Sequence, residues 1–194
     1  MQNTQYRADI LVVGAGMAGL TAASELQQAN YNVLVIDKGR GVGGRLATRR
    51  IGSATFDHGA QFMTARNPRF AAAVKEWRRS GVVEEWFRGS ARGSEGHFRW
   101  RGNPAMTTVA KHLARNLNVL LGTRLVSLHH DSAGWIGMLE SGKRVSAYSV
   151  LLTPPVPQSL ALLDAGRVEL PPETRAHLES IKYESCLAVM ASLD

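Results

Sequence analysis

Residues Ile10 to Arg45 read ILVVGAGMAGLTAASELQQANYNVLVIDKGRGVGGR, and this stretch decides the fold. An apolar run, Ile10–Val13, leads directly into Gly14-Ala15-Gly16-Met17-Ala18-Gly19. A small-residue segment with helical spacing follows, then a second apolar run, Val33–Ile36, ending at Asp37. Strand, glycine turn, helix, strand and acid is the order of a dinucleotide-binding βαβ unit. Gly14 permits the tight turn out of the strand, and Gly16 leaves room for a pyrophosphate beside the backbone. Gly19 lets the helix pack closely on the strands. The helix N-terminus presents N–H groups and a positive dipole end to phosphates. A carboxylate at Asp37 can accept hydrogen bonds from ribose hydroxyls and repels a 2′-phosphate.

Outward from this unit, the composition is that of a globular chain. It has 194 residues, 44% hydrophobic and 20% charged, enough for a single large core. The net charge of +7 comes from scattered arginines, without a stripe of stacking aromatics. As a functional signal this favours an anionic cofactor or substrate over nucleic acid, and a solvated basic surface accounts for it equally well. One cysteine, Cys186, excludes an internal disulfide and fits a reducing compartment; its apolar surroundings place it in the core. No run is long enough to span a membrane and no leader is recognisable at the start, so a cytoplasmic location is expected.

The strands are expected at 7–13 and 31–36, with the first helix at 17–29. Residues 38–53, rich in glycine and arginine, leave little chance of a helix. A loop there, just after the acid, lies at the ligand-binding carboxyl end of the sheet. Its Gly43-Gly44 pair lets the backbone approach a ligand, and Arg45 brings a fixed positive charge. Pro68 and Gly81 bracket a helix over 67–80, with Val74 and Trp77 on its buried face. A short strand over 82–87 precedes a polar turn region at 88–96. Trp100 reads as a buried anchor. A second helix over 104–116 carries Met106, Val109 and Leu113 at core spacing. Strands at 118–121, 124–130 and 135–139 form a small β-meander, and 145–153 returns to the main sheet. Helices at 156–164 and 172–181 follow, then an apolar strand from Glu184 to Leu193. His129 and His130 point to opposite faces of a strand and read as surface residues, so no metal site is expected.

Asp37-Lys38 followed by Gly43-Gly44-Arg45 resembles the FAD-binding signature of the flavin amine oxidase superfamily. Asp57-His58-Gly59-Ala60-Gln61-Phe62, Trp100-Arg101-Gly102-Asn103-Pro104-Ala105-Met106 and Leu152-Thr153-Pro154-Pro155 sharpen the match toward its bacterial renalase-like branch. The resemblance implies an α/β fold: a Rossmann-like FAD-binding domain made of 1–65 and 104–157. Residues 66–103 and 158–194 would be parts of an α+β substrate domain, incomplete by that comparison, since the family's later Gly-Asp turn has no counterpart here.

The implied cofactor is FAD. Gly14, Gly16, Met17 and Ala18 match the turn over its pyrophosphate, Asp37 and Lys38 the ribose end, and Gly44 and Arg45 the second glycine loop. Gly59, Ala60, Gln61 and Phe62 match the segment near the flavin ring. Val126 matches a strand whose backbone reads the adenine edge, and Pro154 a further turn near the cofactor. Asp37 stands where the wider superfamily more often has glutamate. The implied activity is oxidation of a small dihydronicotinamide, an NAD(P)H isomer, with electrons passed to molecular oxygen. No catalytic acid or base is assigned. A flavin amine oxidase and a non-catalytic or truncated dinucleotide-binding module are the alternatives. An NAD(P)-dependent dehydrogenase is disfavoured by the second glycine loop.

Overall fold

A computed structural model describes residues 4–89 and 96–191. Its centre is a six-stranded sheet. β1 (Thr4–Val13), β2 (Val33–Ile36), β7 (Asn118–Leu120) and β10 (Arg144–Leu152) run parallel. β8 (Leu125–Asp131) and β9 (Gly134–Leu139) extend it as an antiparallel meander with β10. The spatial order is β7-β2-β1-β10-β9-β8. β2 is buried along its whole length, as a parallel strand covered on both faces must be.

α1 (Met17–Gln28) covers one face with Leu20 and Ala23, joined by Ala110 of α3 (Thr107–Ala114). On the other face, Leu11, Val13, Leu34 and Ile36 meet the inner residues of the meander and Leu163 of α4 (Val156–Ala165). A third cluster joins Val74 and Trp77 of α2 (Pro68–Arg79) to Val109 of α3, with Trp100 half-buried against it. Two antiparallel ribbons stand outside the sheet: β3 (Thr48–Ile51) with β4 (Ala54–Asp57), and β5 (Val83–Arg88) with β6 (Phe98–Gly102). α5 (Pro172–Ser180) follows α4.

Several elements differ from the sequence expectation. The glycine-arginine stretch holds a 3₁₀ turn at Gly44–Leu46 and then strand β3. α3 starts at Thr107 rather than Pro104. Its first N–H groups are capped from the β3–β4 ribbon: Met106 N–H donates to the Asp57 carboxylate at 3.1 Å, and Thr107 N–H donates to Thr48 Oγ1 at 3.2 Å. Such a distant cap leaves no local signature. β7 pairs with β2 as the edge of the parallel sheet instead of joining the meander. From Glu184 to Ala191 no strand forms; Leu187 is 95% exposed, and Cys186 is exposed, not core. An apolar extended segment becomes a strand only when a neighbour takes its backbone groups, and none does so among the described residues. Most of the 88–96 turn region, and the last residues of the expected final strand, lie outside the described residues.

Gly166 closes α4 against β8. A Cβ there would lie 1.4 Å from the Leu128 carbonyl oxygen, a backbone atom that cannot swing away. Gly166→Ala should therefore destabilise the chain by about 1–3 kcal/mol, lowering the thermal midpoint by roughly 2–12 °C. A calorimetric scan with an unchanged midpoint would mean that α4 does not sit on β8 in solution.

Candidate dinucleotide site

The carboxyl ends of β1, β2 and β10 open onto a groove of about 1150 Å³, with the N-terminus of α1 in its wall. This is where an open α/β sheet binds ligands, because the crossovers leave a crevice between the loops. The turn from β1 into α1 is built tightly. Gly14 has φ of +108°, a conformation that favours glycine. Its N–H donates to the Ile36 carbonyl at 2.8 Å. Gly19 is needed for packing, since a Cβ there would lie 2.0 Å from the Gly14 oxygen.

Gly16 differs from both. Its φ is −84°, open to any residue, and a Cβ would meet only the Gly43 oxygen at 3.9 Å. Nothing in the fold requires glycine at this position; the space left by its side chain belongs to the groove. Gly16 is also the N-cap of α1, with no side-chain cap and no acidic residue in the first turn. The leading N–H groups of the helix are thus left to an anion from the groove.

The second glycine loop is tied to the first. Gly43 N–H donates to the Ala15 carbonyl at 2.8 Å, and Gly16 and Gly43 form a parallel bridge. This brings Gly44 and Arg45 into the groove lining. The Arg45 carbonyl in turn accepts the Ala60 N–H at 2.9 Å. Asp37 links the two loops: one carboxylate oxygen accepts the Ala15 N–H and the other the Gly39 N–H, both at 2.6 Å. Lys38 lies at the same end, and its Nζ donates to Oε1 of Gln158 on α4 at 2.9 Å.

At the meander, the β8–β9 register slips between Leu125 and Ser127. Val126 is the extra residue, left out of the ladder and 42% exposed, and it lines the groove. A bulge of this kind frees backbone groups that can read the edge of a flat base.

Of the residues expected from sequence, Gly14, Gly16, Met17, Ala18, Asp37, Lys38, Gly44, Arg45, Ala60, Val126 and Pro154 line this one groove. Gly59, Gln61 and Phe62 are not part of its lining. Gly59 packs on the Arg45 backbone, where a Cβ would lie 2.1 Å from the carbonyl oxygen. Phe62 lies in an exposed aromatic group with Trp86 and Phe87. Sequence reading missed Thr21, Thr153 and the α4 residues Gln158, Ala161 and Leu162. Thr153 had a signal, its place before Pro154; the α4 residues had none, because only packing brings that helix to the groove.

Asp37→Asn keeps the shape but leaves one acceptor oxygen for two backbone donors. Loss of one such charge-assisted bond should cost the unliganded chain about 1.5–3 kcal/mol, measured by urea unfolding. An unchanged midpoint would show that the carboxylate does not hold these two loops together.

Residues 12–77 match the family model for an NAD(P)-binding Rossmann-like domain. A protein of Mycobacterium tuberculosis named a flavin-containing monoamine oxidase, AofH, is 36% identical over 102 residues, 48% of this chain and 22% of the relative. An L-amino acid dehydrogenase of Synechocystis is 37% identical over 70 residues, 36% of this chain and 15% of its own length. The chain thus spans about a fifth of the length of these relatives. A putrescine oxidase structure, from a redesign of cofactor binding, superposes with a TM-score of 0.71 at 17% identity, over 90% of this chain and 63% of that one. Sequence matches and fold agree on a Rossmann-like dinucleotide-binding unit, similar over part of its length to flavin-containing amine oxidases.

Proposed function

We propose that the groove holds FAD and that the protein is a FAD-dependent oxidoreductase of the renalase-like type. The observation that carries this reading is the Gly16–Gly43 bridge. It joins two glycine loops over one groove and brings Arg45 to the phosphate turn, an arrangement that a simple NAD-binding unit does not need. The names of the relatives support a flavin. Gly14, Gly16, Met17 and Ala18 cradle the pyrophosphate, Arg45 balances its charge, and Asp37 with Lys38 meets the ribose. Val126 offers backbone groups to the adenine. Pro154 stiffens a neighbouring turn. Gly59, Ala60, Gln61 and Phe62 carry the chain from the Arg45 loop toward the flavin ring.

FAD supplies the two-electron acceptor when bound. The chain's own residues bind and orient it. The substrate in this reading is a dihydronicotinamide of the NAD(P)H type, oxidised with oxygen as the final acceptor, and the net charge of +7 suits such an anion. Oxidation of an amine is the second reading, favoured by the similarity to AofH and to putrescine oxidase. Residues 1–65 and 104–157 form the FAD-binding domain in this proposal, and 66–103 and 158–194 belong to a substrate domain. No described helix is long and apolar enough to cross a membrane, which is compatible with a cytoplasmic setting.

The absorption spectrum of the purified protein, with mass spectrometry of the released cofactor, tests the reading directly. FAD is expected; a colourless protein that takes up no added FAD overturns it. Two variants refine the test by flavin titration. Arg45→Ala should weaken FAD binding about five- to thirtyfold, or about 1–2 kcal/mol, because an exposed charge is partly screened. Unchanged affinity would leave Arg45 a mere surface charge. Gly16→Ser installs a good N-cap, so the unliganded chain should stay as stable. FAD affinity should nevertheless fall at least about tenfold, since the new side chain fills the phosphate space. A serine variant that binds FAD normally would remove Gly16 from the cradle.

A further inference from the structure

The structure assigns to Thr153 the task of positioning the phosphate turn, through a hydroxyl that clamps the end of β10 to the Val13 carbonyl, the peptide that leads into the first glycine of the motif. Leu152 is the last β10 residue paired with β1, opposite Val13. Thr153 extends that ladder by one bond, its N–H donating to the Val13 carbonyl at 3.0 Å. Pro154 and Pro155 follow, and neither has an N–H. The backbone of β10 can therefore give the turn no further donor.

The Thr153 hydroxyl supplies one. It donates to the Val13 carbonyl at 2.8 Å, with the Gly14 carbonyl as a longer second acceptor at 3.4 Å. A carbonyl has two lone pairs, so Val13 can accept both the N–H and the hydroxyl of one residue.

The hydroxyl also explains the glycines around it. A Cβ on Gly14 would lie 2.4 Å from Thr153 Oγ1, and one on Gly19 would lie 3.1 Å from it. The end of β1, the first turn of α1 and the end of β10 thus converge on a single oxygen. Asp37 grips the next residue, Ala15, by its N–H. Thr153 and Asp37 hold the two sides of Gly14 by different groups, the Val13 carbonyl before it and the Ala15 N–H after it. The N–H groups of the first turn of α1 inherit their direction from that grip. Thr153 is a positioning residue: it acts on a dinucleotide through Gly14 and the helix terminus.

The consequence for cofactor affinity rests on the FAD reading above; the clamp itself does not. The test therefore has two arms. Hydrogen exchange is measured residue by residue on the unliganded chain for the wild type, Thr153→Val and Thr153→Ser. Valine keeps the shape and removes the donor; serine keeps the donor. The Gly14 and Ala15 amides, bonded to Ile36 and Asp37, should exchange about tenfold faster in Thr153→Val and at the wild-type rate in Thr153→Ser, with Leu11 and Val12 unchanged in both. In the second arm, FAD titration should show about tenfold weaker binding for valine and less than a twofold change for serine.

Equal exchange at Gly14 and Ala15 in all three proteins overturns the clamp. So does a uniform rise across the sheet, which would mark Thr153 as a general packing residue. If the valine variant is unfolded, Thr153→Ala removes the same donor and takes its place. If that too is unfolded, the proposal falls, because the hydroxyl then supports the whole domain and not the turn. A wild-type chain that binds no FAD sinks the cofactor reading and leaves the exchange arm to decide Thr153.

Discussion

One carboxylate holds the groove together. Asp37 accepts the Ala15 N–H with one oxygen and the Gly39 N–H with the other, each at 2.6 Å. The first bond fixes the turn after β1; the second bends the chain after β2 in the manner of an Asx turn. From there the order is relayed through backbone groups. Gly43 donates to Ala15, the 3₁₀ turn follows, and the Arg45 carbonyl takes the Ala60 N–H. The chain around residues 15, 37–45 and 60 is thus aligned by short bonds. Bonds to an ionised acceptor are about twice as strong as neutral ones, so the relay starts from its firmest link. A site assembled this way has its loops in place before a ligand arrives, which removes part of the ordering cost of binding.

The same side chain answers why aspartate stands there. A ribose-binding acid need only reach outward, and a longer side chain would do that. Asp37 must also turn back to Gly39, two residues on in its own chain, and a short carboxylate is suited to that bond. The two roles are compatible. Each carboxylate oxygen has more than one acceptor position, so a backbone N–H on each leaves capacity for hydroxyls facing the groove. Turn-holding therefore leaves room for the ribose contact proposed for Asp37.

The sequence made most of the parallel core legible, and the reason is local. Ile10–Val13, the glycine turn, Leu20 and Ala23, and Val33–Ile36 each carry their signal within a few residues. The return of β10 to the main sheet was equally plain from its apolar run. What could not be read depended on distant partners. α3 begins where Asp57 and Thr48 cap it, across roughly half a hundred residues of chain. β7 belongs to the sheet only because β2 is beside it. The described residues after Glu184 are strand-like in type but form no strand, for want of a neighbour. In the site, the phosphate turn and the second glycine loop were visible as motifs, whereas Gln158 and Leu162 reach the groove on a helix whose own pattern speaks only of packing.

The glycines show how structural and functional constraint can be separated in a motif that mixes them. Gly14 is required by its positive φ and by the Thr153 hydroxyl beside it. Gly19 is required by the Gly14 carbonyl against it. Both would be needed in a protein that bound nothing. Gly16 has an ordinary conformation, and its missing side chain faces only the groove. The fold does not account for it, which supports the proposed dinucleotide, a ligand whose phosphates would approach the helix N-terminus closely. A glycine motif becomes evidence of binding at the one position where packing and backbone geometry leave the choice of residue free.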